Sequence, residues 1–66
     1  MAVTVTRDVP ATISDAQIVA ELDDLHDEFV AAGGDTSQEW SQITGLPNGA
    51  GYRLQWSDEK PPWAWW

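Results

Sequence analysis

The sequence contains no cysteine and only three basic side chains, Arg7, Arg53 and Lys60. The first absence removes disulfides and thiolate metal sites as sources of stability. That matters in a chain of 66 residues, because a domain of this size buries only about 60% of its unfolded surface and has a marginal core. Tight packing, self-association or a partner has to supply the rest. The shortage of cations removes the means by which proteins hold nucleic-acid backbones and anionic membranes. No apolar run approaches the ~18 residues of a membrane span. The opening MAVTVTRDVP has one basic residue and no continuous apolar stretch, unlike a secretory leader. These absences describe one small domain, cytoplasmic or, in a phage, virion-associated.

What is present is acid. Eleven Asp and Glu give a net charge of −8, which keeps a small protein dispersed and suits a basic partner surface. The chain is also rich in Ala, Gly, Asp and Trp and poor in Lys and Asn, a bias towards GC-rich codons that points to a high-GC bacterium or its phage.

Residues 2–9 alternate, with Val3 and Val5 on one side and Thr4 and Thr6 on the other, and read as a half-buried strand that Pro10 ends. Residues 14–32 read as a helix. Ser14 and Gln17 have the spacing of a capping box, Asp15 suits the first turn, and Gly33-Gly34 is a stop. Ile18, Leu22, Leu25, Phe29 and Ala32 fall within an arc of about 80° at about 100° per residue. Val19 and Val30 widen that stripe, and His26 lies at its edge. Glu21, Asp23, Asp24, Asp27 and Glu28 fill the opposite arc with no basic residue of the helix among them. Asp23/Asp27 and Asp24/Glu28 are like-charge pairs, each costing a few tenths of a kcal/mol. Three readings of such a face compete: a solvated surface, a docking surface for a basic protein, and a mimic of nucleic-acid phosphate in which spaced carboxylates stand in for backbone charges.

Residues 35–60 admit two readings. In the first, Glu39–Thr44 and Tyr52–Ser57 form a β-hairpin around the Asn48-Gly49 turn, with Tyr52, Leu54 and Trp56 inward and Arg53, Gln55 and Ser57 outward. In the second, Asp35 caps a helix that runs to Ile43. The stretch Thr44-Gly-Leu-Pro-Asn-Gly-Ala-Gly-Tyr-Arg-Leu54 then resembles the turn and recognition helix of IclR-type winged-helix regulators, which implies a helix-turn-helix fold and DNA binding through Arg53. That helix would carry Gly49 and Gly51 in its first turns, at ~1 kcal/mol each relative to alanine. Its single cation falls short of what a DNA reader needs.

The segment 61–66, Pro-Pro-Trp-Ala-Trp-Trp, forms a tail after a domain of residues 1–60. Its proline pair favours an extended approach. Trp63, Trp65 and Trp66 each offer roughly 150–250 Å² of aromatic area. They either complete the core or dock on a partner or a second copy, where Trp is a favoured anchor. A further reading makes the chain a ribosomal peptide precursor with a Trp-rich core.

Catalytic chemistry has little footing. His26 is the lone histidine, and no nucleophile accompanies it on the helix. Asp23, His26 and Asp27 share one turn, which without a second element makes a poor metal site. No phosphate-binding glycine pattern occurs.

The expectation is therefore an α+β domain with a three-stranded antiparallel sheet on one helix, the alternative being mostly α and helix-turn-helix-like. Its expected core is Val3, Val5, Ile18, Leu22, Leu25, Phe29, Ile43, Tyr52, Leu54 and Trp56. The expected function is non-enzymatic, with no cofactor and no metal, as an accessory inhibitor or assembly component. Binding falls to Glu21, Asp23, Asp24, Asp27, Glu28, Trp63, Trp65 and Trp66. The expected partner is a protein with a basic surface or an aromatic-accepting groove. Nucleic acid and membranes are disfavoured, and self-association stays open.

Overall fold

The chain folds as strand, helix, strand, strand in a computed structural model that describes residues 2–61 and 63. Strand β1 is Thr4–Pro10, helix α1 is Asp15–Ala31, and strands β2 and β3 are Trp40–Gly45 and Gly51–Ser57. The central strand is β3, with β1 and β2 antiparallel on either side of it. The fold is thus α+β, with one helix on one three-stranded sheet. Residues 36–44 do not form the alternative helix: β2 occupies the second half of that span.

The ends of α1 follow the sequence closely. Ser14 Oγ accepts from the Gln17 amide at 3.2 Å, and the Gln17 side chain accepts from the Ser14 amide at 3.1 Å, completing the capping box. At the other end Gly33 takes a positive φ of 90°. The Gly33 and Gly34 amides donate back to Val30 and Phe29, the paired bonds of a Schellman stop. Gly34 lies against the Phe29 ring, where a Cβ would overlap the ring carbons. The β2–β3 connection turns at Pro47–Gly49, with Asn48 and Gly49 both at positive φ. Those are the residue types that tolerate this conformation.

Register decides the faces. Val5, Arg7 and Val9 sit opposite Trp56, Leu54 and Tyr52, and Ser41, Ile43 and Gly45 continue the same face on β2. That face meets α1. Leu25, Phe29 and Leu54 are fully buried and Val9 nearly so, with Val5, Ile13, Ile18, Leu22 and Trp56 partly buried around them. The helix packs on β1 and β3. It lies over those two strands and leaves β2 to its side.

Several core expectations are corrected by the observed burial. Ile43 and Tyr52 face the helix layer yet are 48% and 37% exposed, Ile43 on the strand that α1 leaves to its side and Tyr52 near the start of β3. Val19 and Val30 also face solvent. Ala32 caps the helix and is exposed, and Val3 is only half-buried. Val9 and Ile13, absent from the expected set, belong to the core. Ser57 lies on the outward face as expected, yet it is completely buried. Its hydroxyl bonds Thr4 Oγ1 at 2.8 Å and accepts the Glu59 amide at 3.0 Å as the chain folds back past it. Among the described residues, no helix is long and apolar enough to cross a membrane.

Candidate interaction surfaces

The acidic face of α1 is divided by a cation from outside the helix. Arg7 occupies a helix-facing position on β1, where its aliphatic stem lies against the core layer and its guanidinium reaches α1. Nη1 donates to Glu21 Oε2 at 2.8 Å, and Nη2 pairs with Glu28 two turns further along. The Glu21 hydrogen bond raises the Arg7 pKa above its ordinary value against the opposing effect of burial, and the charge of Glu28 adds to the rise. Glu21 and Glu28 are therefore not part of an unanswered acidic face. Asp23, Asp24 and Asp27 remain on the outside, all exposed. Among the described residues none of the three is in an ion pair.

The second arginine is also engaged internally. Arg53 lies on the open face of β3 and forks onto Asp8 of β1, Nε to Oδ1 at 2.8 Å and Nη2 to Oδ2 at 3.1 Å. The hydrogen bond from Arg53 holds the Asp8 carboxyl below its ordinary pKa. The expectation of a recognition helix at Thr44–Leu54 is overturned here. Its glycines lie in or beside the turn, and its arginine sits in a strand facing a carboxylate of the same sheet.

His26 packs edge-on against Trp56, with ring centroids 4.8 Å apart, and its Nε2 lies 3.3 Å from Glu39 Oε2. The ring is thus turned towards the β2 side. Among the described residues no group of three His, Asp or Glu side chains is placed to hold a metal ion. The Trp56 indole N–H is buried with no acceptor among the described residues, a loss of about 1–3 kcal/mol where it stays unmade.

Where the tail begins, a carboxylate gathers three segments. Asp58 Oδ1 accepts the Val3 amide at 2.6 Å, Oδ2 accepts the Asp35 amide at 2.8 Å, and the Asp58 amide donates to Val3 O. The Val3 bond, then the Asp35 bond, holds the Asp58 carboxyl below its ordinary pKa. Sequence reasoning missed this clasp, because the partners lie 55 and 23 residues away and no local pattern marks them. Beyond it, Trp40 donates its indole N–H to the Glu59 carbonyl. Trp63 stands edge-on to Trp40 with centroids 5.0 Å apart, yet stays 56% exposed. The two indoles border a cleft of about 570 Å³ that Glu39, Asp58 and Lys60 also line. Trp65 and Trp66 lie outside the described residues. On the opposite flank, Val9, Ile13, Ala20 and Glu21 line a shallower hollow of about 480 Å³.

The structure thus brings Glu21 and Glu28 to one cation, leaves Asp23, Asp24 and Asp27 on the outer surface, and sets Trp63 apart from them beside Trp40. No protein-family model matches this sequence, and no curated protein or solved structure is significantly similar to it.

Proposed function

We propose that this chain is a non-enzymatic protein–protein interaction module that engages a basic partner surface through the outer face of α1. The observation that carries the reading is the internal use of both arginines. Arg7 answers Glu21 and Glu28, and Arg53 answers Asp8, so Asp23, Asp24 and Asp27 keep their charge on the outer face of α1 in a chain whose net charge is −8. An accessory inhibitor that occludes a cationic groove, of the kind phages carry, has use for such a face. So has an acidic component of an assembly.

The test is binding of an oligo-arginine peptide by the full chain, by calorimetry across a salt series. The triple variant Asp23→Asn/Asp24→Asn/Asp27→Asn is compared with the charge-matched Asp15→Asn/Glu39→Gln/Glu59→Gln. The reading expects binding that weakens as salt shortens the Debye length from ~10 Å at ~0.1 M towards ~3 Å at ~1 M, and a greater loss in the first variant than in the second. Equal losses in both would show that net charge alone is at work, and would overturn the reading.

The exposure of Trp63 supports a second contact. An indole more than half open beside a cleft fits an anchor for an aromatic-accepting groove, and binding of that kind tolerates salt. Replacing Trp63, Trp65 and Trp66 together with alanine is expected to remove a salt-tolerant component of partner binding and leave the salt-sensitive one.

A further inference from the structure

We propose that the outer edge of β2 pairs with the same edge of a second copy of this chain, antiparallel and centred on Ile43, joining two three-stranded sheets into one.

The ladder fixes which backbone groups of β2 point outward. The Leu46 amide donates to Gly51 O at 2.9 Å. In an antiparallel ladder, bonded and non-bonded pairs alternate. Counting along the register from that bond, Thr44–Arg53, Gln42–Gln55 and Trp40–Ser57 are bonded pairs. Ser41, Ile43 and Gly45 therefore turn their N–H and C=O groups away from β3, and all three residues are exposed. Among the described residues nothing pairs with them.

This edge also lacks the usual protection. Sheet edges are templates for added strands unless charge, proline or a bulge blunts them. The edge of β1 is blunted. Counting from the Asp58 amide to Val3 O, its outward groups belong to Thr4, Thr6 and Asp8. Asp8 carries charge and is held by Arg53, and Pro10 has no N–H to offer. From Trp40 to Gly45, β2 carries neither charge nor proline.

A second copy of the chain is the occupant that suits this edge. Two copies at −8 each repel over most of their surfaces, and β2 is a stretch along which they can meet with no like charges opposed. Pairing about a two-fold axis through Ile43 sets Ser41 opposite Gly45 of the partner copy, Gln42 opposite Thr44, and Ile43 opposite itself. All three outward donors and all three outward acceptors are then used, and both helices stay on one side of the joined sheet. Centring on Gln42 instead would set Gly45 opposite Glu39, outside the strand. The half-exposed Ile43 side chain gains an apolar neighbour in the favoured register, as cross-strand pairing requires.

The experiment uses the full chain, whose lack of cysteine makes single-cysteine variants clean reporters. Sedimentation is run across protein concentration and salt on the wild type and on Ile43→Glu, with far-UV dichroism as the check on folding. Ile43→Cys, Gln42→Cys and Thr6→Cys are oxidised in parallel. The expected result is a dimer that concentration favours and that salt strengthens by screening the repulsion between copies, and it is lost in Ile43→Glu. Ile43→Cys cross-links, because a bonded pair places its Cα atoms about 5.5 Å apart, within disulfide reach. Gln42→Cys does not, since its equivalent in the other copy lies two residues along and beyond ~7 Å. A chain that stays monomeric throughout would overturn the proposal. So would a dimer that survives Ile43→Glu, or cross-linking of Gln42→Cys or Thr6→Cys as fast as Ile43→Cys.

Discussion

Both β1 and β2 pair antiparallel with β3, over seven and six residues, but α1 covers only the first of them well. On the β1 side, Val9 is buried, Arg7 ties the strand to two carboxylates of the helix, and Asp8 is locked to Arg53. On the β2 side, every residue but Trp40 is exposed, Ile43 included, and the contacts with the rest of the fold run mainly through β3. A domain this small has one helix to spend on three strands. Both edges keep outward backbone groups, but only the β1 edge is covered by the helix and blunted by Asp8 and Pro10, so stability is concentrated at β1 and capacity for contact at β2.

The largest effect expected from this contrast is in the core. Leu25→Ala removes a side chain buried under β1 and β3 and should cost about 2–5 kcal/mol, a large part of the roughly 3–10 kcal/mol available to a domain of this size. Ile43→Ala on the open flank should cost less than about 1 kcal/mol. Urea denaturation of the two variants decides it, and equal costs would erase the distinction between the flanks.

Next comes Asp58, which joins the start of β1 to the loop before β2. The amides of Val3 and Asp35 hold its pKa in the folded chain below the ordinary aspartate value. Its stabilising effect is therefore complete above the unfolded-state value and is lost as pH falls through the lower folded-state value. Tryptophan fluorescence should show the tail end loosening in acid in the wild type. Asp58→Asn should already be loosened at neutral pH, with a flatter acid response.

A smaller effect is expected from Arg7→Gln, which leaves Glu21 and Glu28 without their cation. Its melting temperature should fall at low salt, and the gap to the wild type should narrow as salt screens the carboxylates. An unchanged melting temperature would remove Arg7 from the account of the closed flank. Smallest of all, Asp27→Asn relieves the repulsion with Asp23 and should raise stability by about 0.2–0.5 kcal/mol, which thermal melts at low salt can resolve.

The course of the backbone was legible where local chemistry sets it. Ser14, Gln17 and Gly33 marked the helix, Asn48-Gly49 marked the turn, and alternation marked β1 and β3. What was hidden depends on distant groups. Val9 was obscured because Arg7 interrupts the apolar alternation of β1, although its stem and paired guanidinium keep the inward position satisfied. Alternation places Ile43 and Tyr52 on the helix-facing side, but periodicity tells which way a residue points and not how deeply it is covered. Ser57 points outward and is buried only because the chain turns back at Asp58. The acidic face was legible as a stripe on α1, but its division by Arg7 was not, because the cation comes from another element.

Residue-resolved amide hydrogen exchange, at low and at high protein concentration, tests the contrast between the two edges most directly. Ser41, Ile43 and Gly45 are expected to exchange rapidly when dilute and become protected when concentrated, while Thr4, Thr6 and Asp8 exchange rapidly at both. If the β2 amides were protected in the dilute chain, or if the two sets behaved alike at both concentrations, the open flank would not be the one the fold presents for contact.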